Sequence, residues 1–179
     1  MSRIAPLEPP YEAEIQSQFD RIMRGAPPLM LFRVMATNAR AWEKFRAGSL
    51  LDRGPLDLRE REIVIDRTCA LTGCEYEWGV HVTTFAQAAG LSEAEIRATV
   101  REGAGAPCWS ASERALISAV DALHARATLS DDEFAALSSH YDEADIFEII
   151  LLCGFYRTVS YLANGLRLPL EEKAARFPK

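Results

Sequence analysis

Residues 58–81 read LREREIVIDRTCALTGCEYEWGVH, and the way this stretch folds back on itself decides the fold. Asp57 followed by Glu60 is a capping box, in which two side chains close amide groups left open at a helix start. From there Leu58, Glu62, Ile65 and Cys69 follow a heptad-like spacing and fall within about 60° of one another on a helix. Thr72 and Gly73 interrupt that helix, and a second begins. Advancing about 100° per residue from Cys74 places Glu77, Trp78, His81, Phe85 and Ala88 on one face of the second helix. So short a connection predicts a helical hairpin with antiparallel arms. At about 1.5 Å per residue, Glu62 lies roughly 16 Å before the turn and His81 about 12 Å after it, so the two can face each other.

Working outward, three more capping boxes mark helix starts at Ser92 with Glu95, Ser110 with Glu113 and Ser130 with Glu133. Gly73, Gly90, Gly103 and the run Gly105, Ala106, Pro107 supply stops and turns. The expected helices span 11–24, 29–46, 58–71, 74–89, 93–102, 111–126, 131–140 and 143–165. A break falls at Pro27 and Pro28, and a loop runs through Gly54 and Pro55. No window alternates as a strand does. The reading is an all-α bundle: an N-terminal arm with a helix over 1–28, a helical domain over 29–170 and a tail over 171–179.

A chain of 179 residues suffices for one domain that buries roughly 70% of its unfolded surface. Hydrophobic content of 49% and charged content of 26% argue for a packed core and against disorder. With 20 basic against 26 acidic residues and no basic stripe, nucleic acid is not an expected partner. The most apolar segment, IFEIILLCGFY at 146–156, contains Glu148 and is too short to span a bilayer, so it reads as a core helix and no membrane is expected. The opening MSRIAPLEPPYEAEIQ lacks the pattern of a secretory signal, and the protein is read as cytoplasmic. Cys69, Cys74, Cys108 and Cys153 have no framework spacing and read as reduced thiols.

Polar groups on apolar helix faces cost a few kcal/mol each unless they are partnered or used. Glu62, Cys74, Glu77 and His81 are therefore the candidate catalytic residues. A buried carboxylate has its pKa raised and a neighbouring imidazole can titrate near neutrality, which suits general acid–base transfer. The bland alternative is a satisfied network that fixes helix packing, with Cys74 a small core residue. Cys74 falls in the first turn of its helix, where the dipole and free amides favour a thiolate. Trp78 and Arg67 are candidate substrate contacts, and Arg67 or Arg157 could supply the cation for a substrate carboxylate. Cys74, Glu77 and His81, with Glu62 as a fourth, are side chains of zinc-ligating type, but structural zinc sites favour several Cys or His ligands; no metal and no cofactor is expected. His124 and His140 lie near helix ends and read as structural.

The segment LREREIVIDRTCALTGCEYEWGVHVTTFAQAAGLSEAEI, residues 58–96, resembles the carboxymuconolactone decarboxylase family, whose relatives include the alkylhydroperoxidase D proteins. The Arg-Glu run, EYEW at 75–78, His81 and GLSEAEI carry the resemblance, with weaker agreement through GFYRTVSYLANG at 154–165. It covers roughly residues 30–170. It implies an AhpD-like helical bundle whose central hairpin carries the site, assembled as a homo-oligomer, a trimer or hexamer, and acting on a small-molecule substrate. It also implies a place for Asn164 on the site wall. The alkylhydroperoxidase motif has Glu, eleven residues, Cys, two residues, Cys, three residues and His; the same spacing here gives Glu62, Cys74, Glu77 and His81. Glu77 thus replaces the second Cys, and a carboxylate cannot form the disulfide of a dithiol cycle. EYEW instead matches the decarboxylase-like branch, which implies acid–base decarboxylation of a small carboxylated lactone or cyclic acid without a metal. Two alternatives accompany it. One is a thiol-dependent peroxidase using Cys74, with Cys69 approaching across the turn as a non-standard resolving partner. The other is a non-catalytic oligomeric binding module.

Overall fold

The computed structural model describes residues 2–179, among which there are nine α-helices, one 3-10 turn and no strand. The helices are α1 (Ala13–Met23), α2 (Met30–Met35), α3 (Ala39–Ala47), α4 (Leu58–Leu71), α5 (Glu75–Phe85), α6 (Glu93–Val100), α7 (Ala111–Arg126), α8 (Asp131–Ser138) and α9 (Glu143–Gly165). The 3-10 turn, Gly103–Gly105, joins α6 to α7.

Four of the helix starts are closed as their sequences dictate, with Asp57, Ser92, Ser110 and Ser130 each accepting from the amide three residues on and Glu60, Glu95, Glu113 and Glu133 reaching back. Asp142 and Asp145 make a fifth box at the start of α9, where a short Asp does the work of the usual Glu. The single helix expected over 29–46 is two. Asn38 adopts extended backbone and accepts from Ala41 N–H, so it starts α3 and ends any continuation of α2. The second arm of the hairpin is also shorter than expected: Cys74 is the N-cap rather than a helical residue, and α5 ends at Phe85.

Helix α4 is the hub, packing against α5, α6, α7 and α9. Residues 62–66 are all buried, so its middle turn has no solvent face, as expected of a helix surrounded by others. Opposite it, α9 buries Ile146, Ile149, Leu152, Tyr156, Val159 and Ala163, while Phe147, Leu151 and Tyr161 on its other side are exposed. By length and composition alone α9 would pass for a membrane span, yet one side of it is core.

Helix α5 is held from outside by the chain's last residues. Tyr76 Oη donates to Glu171 at 2.5 Å, Ala175 N–H donates to Thr83 Oγ1 at 2.8 Å, and Phe177 N–H donates to Glu75 Oε1 at 2.9 Å. The Phe177 ring lies 5.2 Å from Trp78. This crossing requires Gly79, since any Cβ there would run into the Ala175 carbonyl oxygen.

Candidate active site

The hairpin brings Glu62 of α4 and His81 of α5 together: His81 Nδ1 donates to Glu62 Oε2 at 2.7 Å, with both residues almost wholly buried. On the other ring edge, His81 Nε2 stands 3.5 Å from Glu77 Oε1, one turn back on the same helix. That separation is long for a hydrogen bond, so the contact with Glu77 is looser than the one with Glu62. Tyr156 of α9 meets the imidazole edge-on at 5.0 Å, and Phe85 covers it at 5.2 Å. Burial alone would lower the His81 pKa, but the hydrogen bonds and charges of Glu62 and Glu77 outweigh it and raise it to about 10. His81 is therefore an imidazolium at neutral pH, held between two carboxyl groups.

Two further residues complete the cluster. Arg61 turns its guanidinium onto Glu62 Oε1, with Nε at 3.0 Å and Nη2 at 2.9 Å, and lies over the Phe85 ring at 5.4 Å. Asp66, one turn along α4 from Glu62, is 1% exposed, and neither of its oxygens has a hydrogen-bond partner among the described residues. Burial pushes its pKa well up; the His81 charge opposes this and that of Glu62 adds to it. Glu77 Oε2 is also buried without a partner. The cluster thus holds spare acceptor capacity, which buried polar groups rarely keep unless something uses it.

Other expected site residues lie elsewhere. Arg67 donates to Asp121 Oδ1 at 2.6 Å and to Thr99 O at 2.8 Å, a tie from α4 to α7 and α6 that leaves it no substrate role. Arg157 is committed to the Tyr161 hydroxyl and His124 O. The cation at the cluster is Arg61 instead. Trp78 Nε1 donates to Thr99 Oγ1 at 3.0 Å and its ring packs against Phe177, so it is a core residue and no wall of the site. Asn164 is exposed and donates to Thr72 O at 3.1 Å; it steadies the hairpin turn. Cys74 is fully buried rather than poised at an open mouth. Burial pushes its thiol up, outweighing the amides of Glu77 and Tyr76, so the expected thiolate is not the resting form. Arg61 and Asp66 were not anticipated. Asp66 carries a signal, since it stands four residues from Glu62 on the same face; Arg61 carries none.

An all-helical chain with a carboxylate–imidazole cluster on its central helix pair has the AhpD-like fold. An uncharacterized peroxidase-related protein from Silicibacter sp. TM1040 superposes with a TM-score of 0.85 at 19% identity, over 99% of this chain and 96% of that one. A protein of unknown function from Agrobacterium tumefaciens, described as a putative antioxidant defence protein AhpD, gives 0.70 at 25% identity over 76% and 94%. The debrominase Bmp8 gives 0.75 at 17% identity over 95% and 92%. Residues 36–122 match the Carboxymuconolactone decarboxylase family. No curated protein sequence matches the chain.

Proposed function

We propose that the chain is an acid–base enzyme of the carboxy-lyase type, which decarboxylates a small carboxylated lactone or cyclic acid with its own side chains. The observation that carries this reading is the His81 ring held at 2.7 Å by Glu62 and only loosely, at 3.5 Å, by Glu77. Glu62 fixes the ring by accepting from Nδ1–H, and Arg61 balances the Glu62 charge. The Nε2 proton is the mobile one. As the bond to the carboxyl carbon breaks and carbon dioxide leaves, the electron pair stays on the ring carbon and takes that proton; a proton taken up from solvent, with the Glu77 carboxylate as carrier, then restores Nε2–H. Arg61, which lies over the Phe85 ring, is the cation available at the cluster for a substrate carboxylate. The exposed Phe147, Leu151 and Tyr161 of α9 support assembly as a homo-oligomer, a trimer or hexamer.

Carbon dioxide release from a panel of carboxylated lactones tests the reading. His81→Gln and Glu77→Gln are expected to lower turnover by about 10²–10⁴-fold with the helical circular dichroism unchanged. Full turnover in both variants, or no release by the native chain from any panel member, would overturn it.

A further inference from the structure

The turn between α4 and α5 is a Schellman motif. Cys74 N–H donates to Cys69 C=O at 2.8 Å, Gly73 N–H donates to Ala70 C=O at 3.0 Å, and Gly73 takes a φ of 63°. In this motif the residue two past the cap meets the residue three before it, ordinarily as a hydrophobic contact that seals the helix end. Here those two residues are Cys74 and Cys69, so two buried thiol-bearing residues stand where the seal ordinarily forms. Both are free thiols with no exposed surface. Ser160 of α9 closes the third side: its hydroxyl lies within hydrogen-bonding reach of both sulfurs. It is fixed there by accepting from Thr72 Oγ1 at 2.8 Å and donating to Tyr156 O at 2.7 Å. The Glu77 charge acts on both thiols as well.

We propose that Cys69 and Cys74 form a two-electron dithiol/disulfide couple that hydrogen peroxide oxidises. The pair is set by the helix stop and needs no lyase substrate, so it stands or falls apart from the lyase reading. Burial raises both thiols, Cys69 further than Cys74, which makes Cys74 the sulfur that ionises first and attacks. Its thiolate attacks one peroxide oxygen and the O–O bond breaks. One oxygen leaves as water after taking up a proton, and the other remains on Cys74 as a sulfenic acid. The Cys69 sulfur then attacks the Cys74 sulfur. The S–S bond forms, and the hydroxyl departs with the Cys69 proton as a second water. Two thiols have been oxidised by two electrons, and the peroxide has been reduced to two waters. An external dithiol reverses the step by exchange. The product ties the end of α4 covalently to the start of α5, within one turn of Glu77.

The test uses the full chain with Cys108 and Cys153 replaced by Ser, so that only the pair can react. After hydrogen peroxide treatment, intact mass and peptide mapping are expected to give a loss of two hydrogens at a Cys69–Cys74 crosslink, reversed by dithiothreitol. Adding Cys69→Ala to this background is expected to replace that loss by a gain of oxygen at Cys74, with helical content retained. The proposal is overturned if oxygen accumulates on Cys74 while Cys69 is present. It is equally overturned if both thiols remain fully alkylatable after treatment that oxidises the exposed Cys108 of the native chain.

Discussion

Two clusters of charge sit on α4 less than one turn apart in sequence, and they differ in what they leave over. Around Arg59 the guanidinium is shared between Glu95 of α6 and Glu113 of α7, with Nη1 donating to Gly90 O at 3.0 Å. Each of those carboxylates also closes its own capping box, at Ser92 and Ser110. Burial works against both, but the Arg59 and cap hydrogen bonds hold Glu95 and Glu113 below the usual carboxylate range. Nothing there is unused, and the result is a bracket joining three helices. Around His81 the same residue types are deeper, and three carboxyl oxygens, two on Asp66 and one on Glu77, have no partner among the described residues. Saturated charge is scaffold; buried charge with open acceptors is where chemistry has room to occur.

Truncating one residue in each cluster breaks the comparison most directly. Glu62→Ala leaves Arg61 and His81 buried without their acceptor and is expected to cost about 3–5 kcal/mol in urea unfolding, because an unpaired buried charge is stranded. Arg59→Ala is expected to cost less, about 1–3 kcal/mol, since its partners keep their cap hydrogen bonds and some solvent. Turnover, scored as release of carbon dioxide, is expected to fall with the first variant and persist in the second. An Arg59 variant that lost turnover while remaining folded would erase the distinction.

Smaller effects come from pH. His81 is raised to about 10 in the folded chain against roughly 6.5 when unfolded. Its contribution to stability is therefore fully present below about 6.5 and is lost as pH rises through the folded value. A proton NMR titration is expected to find the His81 ring charged throughout pH 5–8, in contrast to an ordinary histidine. Asp66 runs the same way by a different cause. Burial keeps it protonated when folded, so the unfolded chain binds fewer protons above about 3.9 and stability falls as pH rises. Asp66→Asn removes that titration: the variant is expected to unfold at higher denaturant than the native chain at neutral pH, with the gap closing near pH 3. A gap that is absent at neutral pH, or reversed, would mean Asp66 is ionised in the fold.

What could be read in advance tracks how local the cause is. Helix starts at Asp57, Ser92, Ser110 and Ser130 are legible because each cap is complete within four residues. The same logic hides the capping box at Asp142, whose third partner is Asp rather than Glu, although the helix it opens is expected over 143–165, and lets Asn38 break a helix on one hydrogen bond. The meeting of Glu62 with His81 follows from rise per residue and one short turn. Arg61 escapes because neighbours at i and i+1 do not share a helix face; only its long side chain carries it back to Glu62. Arg67 was misread because its partner, Asp121, is 54 residues away on a helix whose packing no local pattern announces. Cys74 was read from its own helix start, while its protonation is decided by α9, which buries it.

The crossing of the C-terminal segment over Gly79 also bears on the order in which the protein is built. Ala175 reaches Thr83 from 92 residues further along the chain. On a ribosome, the α4–α5 hairpin can close while α6 to α9 are still unmade, but the strip of α5 at Gly79 and Thr83 stays uncovered until residues 174–177 emerge. The hairpin is thus among the earliest units that can form and the last to be clamped, and for that interval the backbone that crosses Gly79 has yet to arrive.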